Sequence, residues 1–156
     1  MKAIVNTSYG PPEVLQLVDV EKPTPKQNEV LVKVVASTVN RTDSGFRKGK
    51  PLLVRLFSGI ATILGSEFSG IVEAVGSAVK SFKPGDGVFG LSTWKFGAHA
   101  EYLCVDEEKS ISLKPKNATH QEAAAICDGA MLAMAYMRKT DFTNAPKMLI
   151  NGASGS

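Results

Sequence analysis

Residues 64–90 read LGSEFSGIVEAVGSAVKSFKPGDGVFG, and the rest of the chain is arranged around them. Gly65, Gly70, Gly76, Gly85 and Gly87 punctuate runs of β-branched and apolar residues, the pattern of short strands joined by tight turns. Gly76-Ser77 closes the apolar run Ile71-Val72-Glu73-Ala74-Val75, and Pro84-Gly85-Asp86-Gly87 is a dense turn signal before Val88-Phe89. Val79 and Phe82 supply apolar anchors between the turns. The stretch predicts a compact β-barrel core.

Working outward toward the N-terminus, Glu29 to Val39 is the longest strand candidate, with Lys33 as its solvent-facing interruption. Lys2 to Asn6 and Val14 to Val20 read as two further strands. They are separated by Ser8-Tyr9-Gly10-Pro11-Pro12, where glycine and two prolines forbid regular structure. Pro23 and Pro25 make Glu21 to Asn28 a loop. Val39 to Lys50 leaves the long strand into a polar loop or short helical turn, the kind of scaffold-held segment where chemistry is usually placed. Asn40 and Asp43 also suit the cap of such a turn, and the residues alone leave both roles open. Arg47 could meet a cofactor phosphate or pair with a surface carboxylate. Between Lys50 and Leu64, residues Leu52, Leu53, Leu56, Phe57, Ile60 and Leu64 fall at helical spacing, which predicts a short amphipathic helix, either packed under the barrel or forming a hydrophobic wall of a substrate pocket.

Toward the C-terminus, Gly97 to Val105 reads as a strand that carries His99, expected to bond to backbone, and Cys104, expected in the core. Ile111 to Pro115 ends the β-rich part. Thr119 with Glu122 three residues on forms a capping box for a helical stretch that Asp128-Gly129 should split in two. Met131, Met134 and Met137 are expected as packing within it. The overall expectation is a mainly β chain with a few helices (α+β).

The segment GSEFSGIVEAVGSAVKSFKPGDGVFG, the opening YGPPEVLQL followed by EVLVKV, and Gly97-Ala98-His99-Ala100-Glu101-Tyr102 together resemble the N-terminal, GroES-like domain of medium-chain dehydrogenase/reductases. The likeness is nearest to the zinc-free quinone reductase branch, and it implies a partly open β-barrel. Zinc alcohol dehydrogenases carry Gly-His-Glu where this chain has Gly65-Ser66-Glu67, and a Cys where it has Asn40 in Asn40-Arg41-Thr42-Asp43. Neither an amide nor a hydroxyl is a usual zinc ligand, and Cys104 and Cys127 cannot build a four-cysteine lobe, so no metal is expected. The resemblance gives Asn40 a lining role and Asp43 an orienting one. The family's Thr near the cofactor is replaced here by Leu132, and its Tyr beside the Asp by Ser44-Gly45-Phe46.

Lys147 to Asn151 is a short apolar strand followed directly by Gly152-Ala153-Ser154-Gly155-Ser156, the order in which a Rossmann unit begins. The expectation is a GroES-like domain over residues 1–140 and, over 141–156, a linker with the first strand and glycine-rich turn of a truncated nucleotide-binding domain. Backbone amides of Gly152, Ala153, Ser154, Gly155 and Ser156 would approach the pyrophosphate. For the parent protein the resemblance implies hydride transfer from NADPH, with NADH possible, to a small-molecule quinone or activated alkene, in a homodimer. The 156-residue chain alone is expected to be inactive. A non-catalytic binding module and a zinc alcohol dehydrogenase stand as alternatives.

Composition narrows the classes. The apolar share of 44% and charged share of 21% are ordinary for a globular protein of 156 residues, and the net charge of +3 is spread without basic runs, so no nucleic-acid partner is expected. The opening MKAIVNTSYG has no secretory pattern, and the apolar patch from Pro51 to Leu64 is too short to span a bilayer. A cytoplasmic protein with reduced cysteines, away from any membrane, is the expectation.

Overall fold

The computed structural model describes residues 1–50, 63–92 and 95–141, with positions 143, 147 and 149. Residues 51–62, most of the helix predicted between Lys50 and Leu64, and the end from 150 to 156, Gly152 to Ser156 included, lie outside the described residues.

The central stretch forms β4 (Glu67–Val75) and β5 (Gly87–Leu91), and with β3 (Glu29–Ser37), β6 (Tyr102–Asp106) and β7 (Ile111–Leu113) they make a five-stranded antiparallel sheet. Its order is β6-β3-β4-β5-β7, so the longest strand candidates sit at the centre. β1 (Lys2–Asn6) and β2 (Leu15–Asp19) form a separate hairpin, joined to the rest by bridges at Ala3–Ala100 and Val5–Ile63. The sheets stay open, and the fold is the mainly β, GroES-like arrangement expected from the sequence.

Alternation on the strands puts Val30, Val32, Phe68, Val72, Val88, Leu103 and Val105 into one core, sealed at its rim by Val79 and Phe82. Gly76 is required where β4 ends, since a Cβ there would lie 1.9 Å from the Lys26 carbonyl oxygen. The register of β3 on β4 shifts between Leu31 and Val32 and again between Val34 and Ala36, bending β3 where it approaches the site.

Three α-helices and a 3-10 turn at Pro12–Val14 complete the described residues. The helices are α1 (Arg41–Lys48), α2 (His120–Ala125) and α3 (Cys127–Met137). Thr119 caps α2 with Glu122 in the expected box. The helical stretch breaks at Ile126, not at Asp128-Gly129, which fall in the first turn of α3. Gly129 has open space around it and an intact helical backbone, so glycine there does not interrupt the helix. The methionines depart from expectation too: Met131, Met134 and Met137 are about half-exposed, and Cys127, at its start, is the buried residue of α3. The strand expected from Gly97 begins at Tyr102, since Gly97 has φ +102° and Ala100 makes only a single bridge.

Candidate active site

α1 begins where β3 ends, and its capping residues are the two singled out from sequence. Asn40 Oδ1 accepts the Asp43 N–H at 3.1 Å, while Asp43 Oδ2 accepts the Asn40 N–H at 3.0 Å, a reciprocal capping box. Asp43 is buried, and its other oxygen accepts the Gly65 N–H at 3.1 Å, tying α1 to the head of β4. Gly65 has φ +90°, and a Cβ on it would lie 2.5 Å from His99 Cδ2, so only glycine lets the imidazole lie across this turn. His99 Nε2 is 2.9 Å from the Thr38 carbonyl oxygen, which only accepts, so Nε2 carries the hydrogen. The backbone role expected for His99 is what the structure shows.

Capping does not exhaust Asn40. Its Nδ2 donates to Glu67 Oε2 at 3.1 Å and to Ser66 Oγ at 3.3 Å. The Asp43 N–H fixes which end of the amide is oxygen, and the Glu67 carboxylate agrees from the other side. Glu67 is buried and is held by donors alone: the Thr38 hydroxyl and Asn40 Nδ2 on Oε2, and the Asp128 N–H on Oε1 at 3.0 Å. Asn40 therefore caps α1 through its Oδ1 while its Nδ2 is aimed at β4.

Sequence reading missed Glu67, Thr38 and Asp128 as members of this group. An acidic residue inside an apolar strand with no basic residue paired to it was the available signal. Asp128, read as a helix breaker, instead offers its backbone N–H and so links β4 to the start of α3.

Among the described residues Arg47 pairs with no carboxylate. It is 8% exposed, and its guanidinium donates to the Gly10 carbonyl, closing α1 onto the turn before β2. A cavity of about 610 Å³ lies between the β1–β2 hairpin, the end of β3 and α1, lined by Ile4, Leu17, Val35, Asp43, Arg47 and His99 among others. A smaller one, about 260 Å³, lies beside Lys95, Cys104 and Lys109. Both cysteines are free. Burial is the main force raising the Cys104 thiol to about 11 and the Cys127 thiol to about 12, with Glu29 and Glu67 respectively adding to it. Neither is poised as a nucleophile. Among the described residues no three His, Cys, Asp or Glu side chains converge as a metal set, and no helix is long and apolar enough to cross a membrane.

The alcohol dehydrogenase GroES-like domain matches residues 26–116, more than half of the chain. The chain belongs to this family. Within the medium-chain dehydrogenase/reductase superfamily it is 38% identical over 161 residues to a quinone oxidoreductase of Sus scrofa, covering 99% of this chain and 46% of that protein. It is likewise 38% identical over 164 residues to the NADPH-dependent alkenal/one oxidoreductase, chloroplastic, of Arabidopsis thaliana, covering 99% of this chain and 42% of the relative. Among solved structures, the Escherichia coli quinone oxidoreductase complexed with NADPH superposes with a TM-score of 0.79 at 30% identity, over 91% of this chain and 42% of that one. The chain thus spans less than half the length of these relatives. In this GroES-like domain the matched region takes in β3 to β7 and the whole Asn40–Glu67 group except Asp128.

Proposed function

We propose that the chain forms the substrate-side half of a zinc-free, nicotinamide-dependent reductase of quinones and conjugated enones. The observation that carries this reading is the Asn40–Ser66–Glu67 network: the two positions where zinc alcohol dehydrogenases place Cys and His hold an amide and a hydroxyl bonded to each other. An amide and a hydroxyl are not usual zinc ligands, and the one carboxylate beside them, Glu67, already accepts from Thr38, Asn40 and the Asp128 N–H. What it offers is a fixed array of hydrogen-bond groups, suited to orienting a neutral oxygen-bearing substrate.

When bound, a reduced nicotinamide supplies the hydride, NADPH being favoured by the relatives' own names. This chain's described residues do the positioning. Asp43 locks Gly65 and the start of α1, Asn40 spans from that cap to β4, and Glu67 holds the amide of Asn40 and the first turn of α3 in register. The cofactor's pyrophosphate is proposed to meet the backbone of Gly152, Ala153, Ser154, Gly155 and Ser156, with residues 1–140 as the GroES-like domain and 141–156 as linker, first strand and turn of the nucleotide-binding half. A homodimer in the cytoplasm completes the proposal, although a relative carries a chloroplastic name.

The test pairs two proteins. Calorimetric titration of the 156-residue chain with NADPH should give no saturable heat up to millimolar cofactor. The same residues joined to their nucleotide-binding half should oxidise NADPH with a quinone or enone and contain no stoichiometric zinc. Stoichiometric zinc, or failure to reduce any member of a quinone and enone panel, overturns the reading.

A further inference from the structure

The cavity of about 610 Å³ between the β1–β2 hairpin, the end of β3 and α1 lies beside the Asn40 network without sharing its centre: Asn40, Ser66 and Glu67 are not among the described residues that line it. Its size is that of a small-molecule site, for which about 300–1,000 Å³ is usual. The walls are mostly apolar, with Ile4, Leu15, Val34 and Leu64 among them. Leu17, Val35 and Val39 also line it and are exposed, Val39 at 79%, so the cavity opens to solvent. Arg47 is the buried cation set in this apolar wall.

A guanidinium carries five N–H donors, and among the described residues that of Arg47 has one acceptor, the Gly10 carbonyl. The Gly10 N–H returns a bond to the Arg47 carbonyl at 3.1 Å, so residue 47 is tied twice to the turn before β2. No carboxylate side chain compensates the charge. All 15 Asp and Glu residues of the chain are among the described ones, and none pairs with Arg47. A buried cation without an anion is costly. The two carboxylates that share the cavity are turned elsewhere: Asp43 accepts the Asn40 and Gly65 N–H groups, and Glu101 Oε2 accepts the Lys2 N–H at 2.7 Å. The other cation of the lining, Lys2, pairs with Asp19.

We infer that this cavity binds an organic monocarboxylate with an apolar body, the carboxylate on Arg47 and the body along the walls toward Leu17 and Val35. The guanidinium fork matches the two oxygens of a carboxylate, and methylene groups laid on the apolar walls leave water. An inorganic anion would use the charge and leave the walls wet. A neutral apolar molecule would use the walls and leave Arg47 uncompensated. Asp43 belongs both to the lining and to the cap of Asn40, so the ligand lies one side chain away from the Asn40 network and outside it.

Calorimetric titration of the 156-residue chain with octanoate tests this, with octanamide, acetate and inorganic phosphate as comparison ligands. Octanoate should bind at one site with a Kd of about 1 mM or tighter, and the other three at least about tenfold more weakly. Arg47→Gln should weaken octanoate by about tenfold or more and leave octanamide unchanged. Should that variant unfold, Leu17→Glu reads the same site from an exposed position of the lining: its carboxylate should weaken octanoate several-fold and spare octanamide. Octanamide, acetate or phosphate binding as tightly as octanoate overturns the inference, and so does an octanoate affinity that either folded variant leaves unchanged. Absence of octanoate binding overturns it as well, whether the cavity stays empty or a second copy or another part of the chain fills it. None of these readouts involves a nicotinamide or a quinone, so the reductase reading stands or falls separately.

Discussion

Replacing Asn40 by Ala and by Asp separates the two jobs of its side chain, because only one of the two substitutions keeps the cap. Asn40→Ala forfeits the bond to the Asp43 N–H, a loss of about 1 kcal/mol for an N-cap. It also takes one of the donors from buried Glu67, and a hydrogen bond to a charged acceptor contributes about 1.5 kcal/mol at the low end appropriate to a half-buried donor. The sum is about 2.5 kcal/mol, with little dependence on pH. Asn40→Asp keeps the cap but turns a carboxyl group onto Glu67 at the place of a 3.1 Å hydrogen bond. Two like charges about 4 Å apart repel by about 4 kcal/mol at the effective dielectric of a protein surface. The pair escapes by binding a proton, so one carboxyl group has its folded pKa raised above the unfolded value of about 4. The folded state then holds more protons than the unfolded one, and stability is lost as pH rises from about 4 through the raised folded pKa. Asn40→Asp should be more stable than Asn40→Ala near pH 4.5 and less stable near pH 8, by roughly 1–2 kcal/mol in each direction. Urea unfolding of both variants across that range reads the crossing directly. Parallel curves, or Asn40→Asp still the more stable at pH 8, would show that Asn40 does not face Glu67.

Three further outcomes can be checked on the same chain. Burial, with help from Lys114, pushes the His120 imidazole below its ordinary value of 6.5, so its contribution is full above that value and fades as pH falls through it toward the lower folded pKa. The His120→Gln variant should show a flatter fall in urea midpoint between about pH 7.5 and 5, and an unchanged slope refutes the assignment. With Cys104 at about 11 and Cys127 at about 12, iodoacetamide at pH 8 should label the native chain at least an order of magnitude more slowly than the urea-unfolded one, and rapid native labelling of Cys127 would contradict its burial. Buried Asn6 has no partner among the described residues for its Nδ2 or its Oδ1, so Asn6→Leu should stabilise by about 1 kcal/mol or more, read as a higher thermal midpoint; a lower one would mean the amide has a partner.

Most of the fold was legible in local pattern. The strand candidates at Lys2, Val14, Glu29, Ile71, Val88 and Ile111 all form, because alternating apolar residues bounded by glycine and proline have few other ways to bury their faces. Capping was equally legible: Thr119 with Glu122 and Asn40 with Asp43 each write a cap within four residues of chain. Legibility failed where the answer depended on residues far away. Whether Gly97 to Glu101 would be a strand turned on pairing with β1, which gives a single bridge at Ala3. Whether the methionines of α3 would pack turned on what lies against the helix, and helical spacing carries no such information.

The same distinction explains why the site was only half visible. Asn40 and Asp43 could be picked out because a cap is local, but their purpose is set by Glu67, which reaches them only because β3 and β4 pair in the register Ser37–Phe68. That register brings Thr38 and Asn40 alongside Ser66 and Glu67, residues 26 to 29 positions apart in the chain. A buried carboxyl group with no cation beside it is costly unless donors surround it, and here a hydroxyl, an amide and a backbone N–H from three different segments do so. The requirement acts in both directions: Glu67 fixes Asn40, and through Asp128 it fixes the first turn of α3. Asn40 is thereby held in register with the first turn of α3 through a single buried carboxyl group.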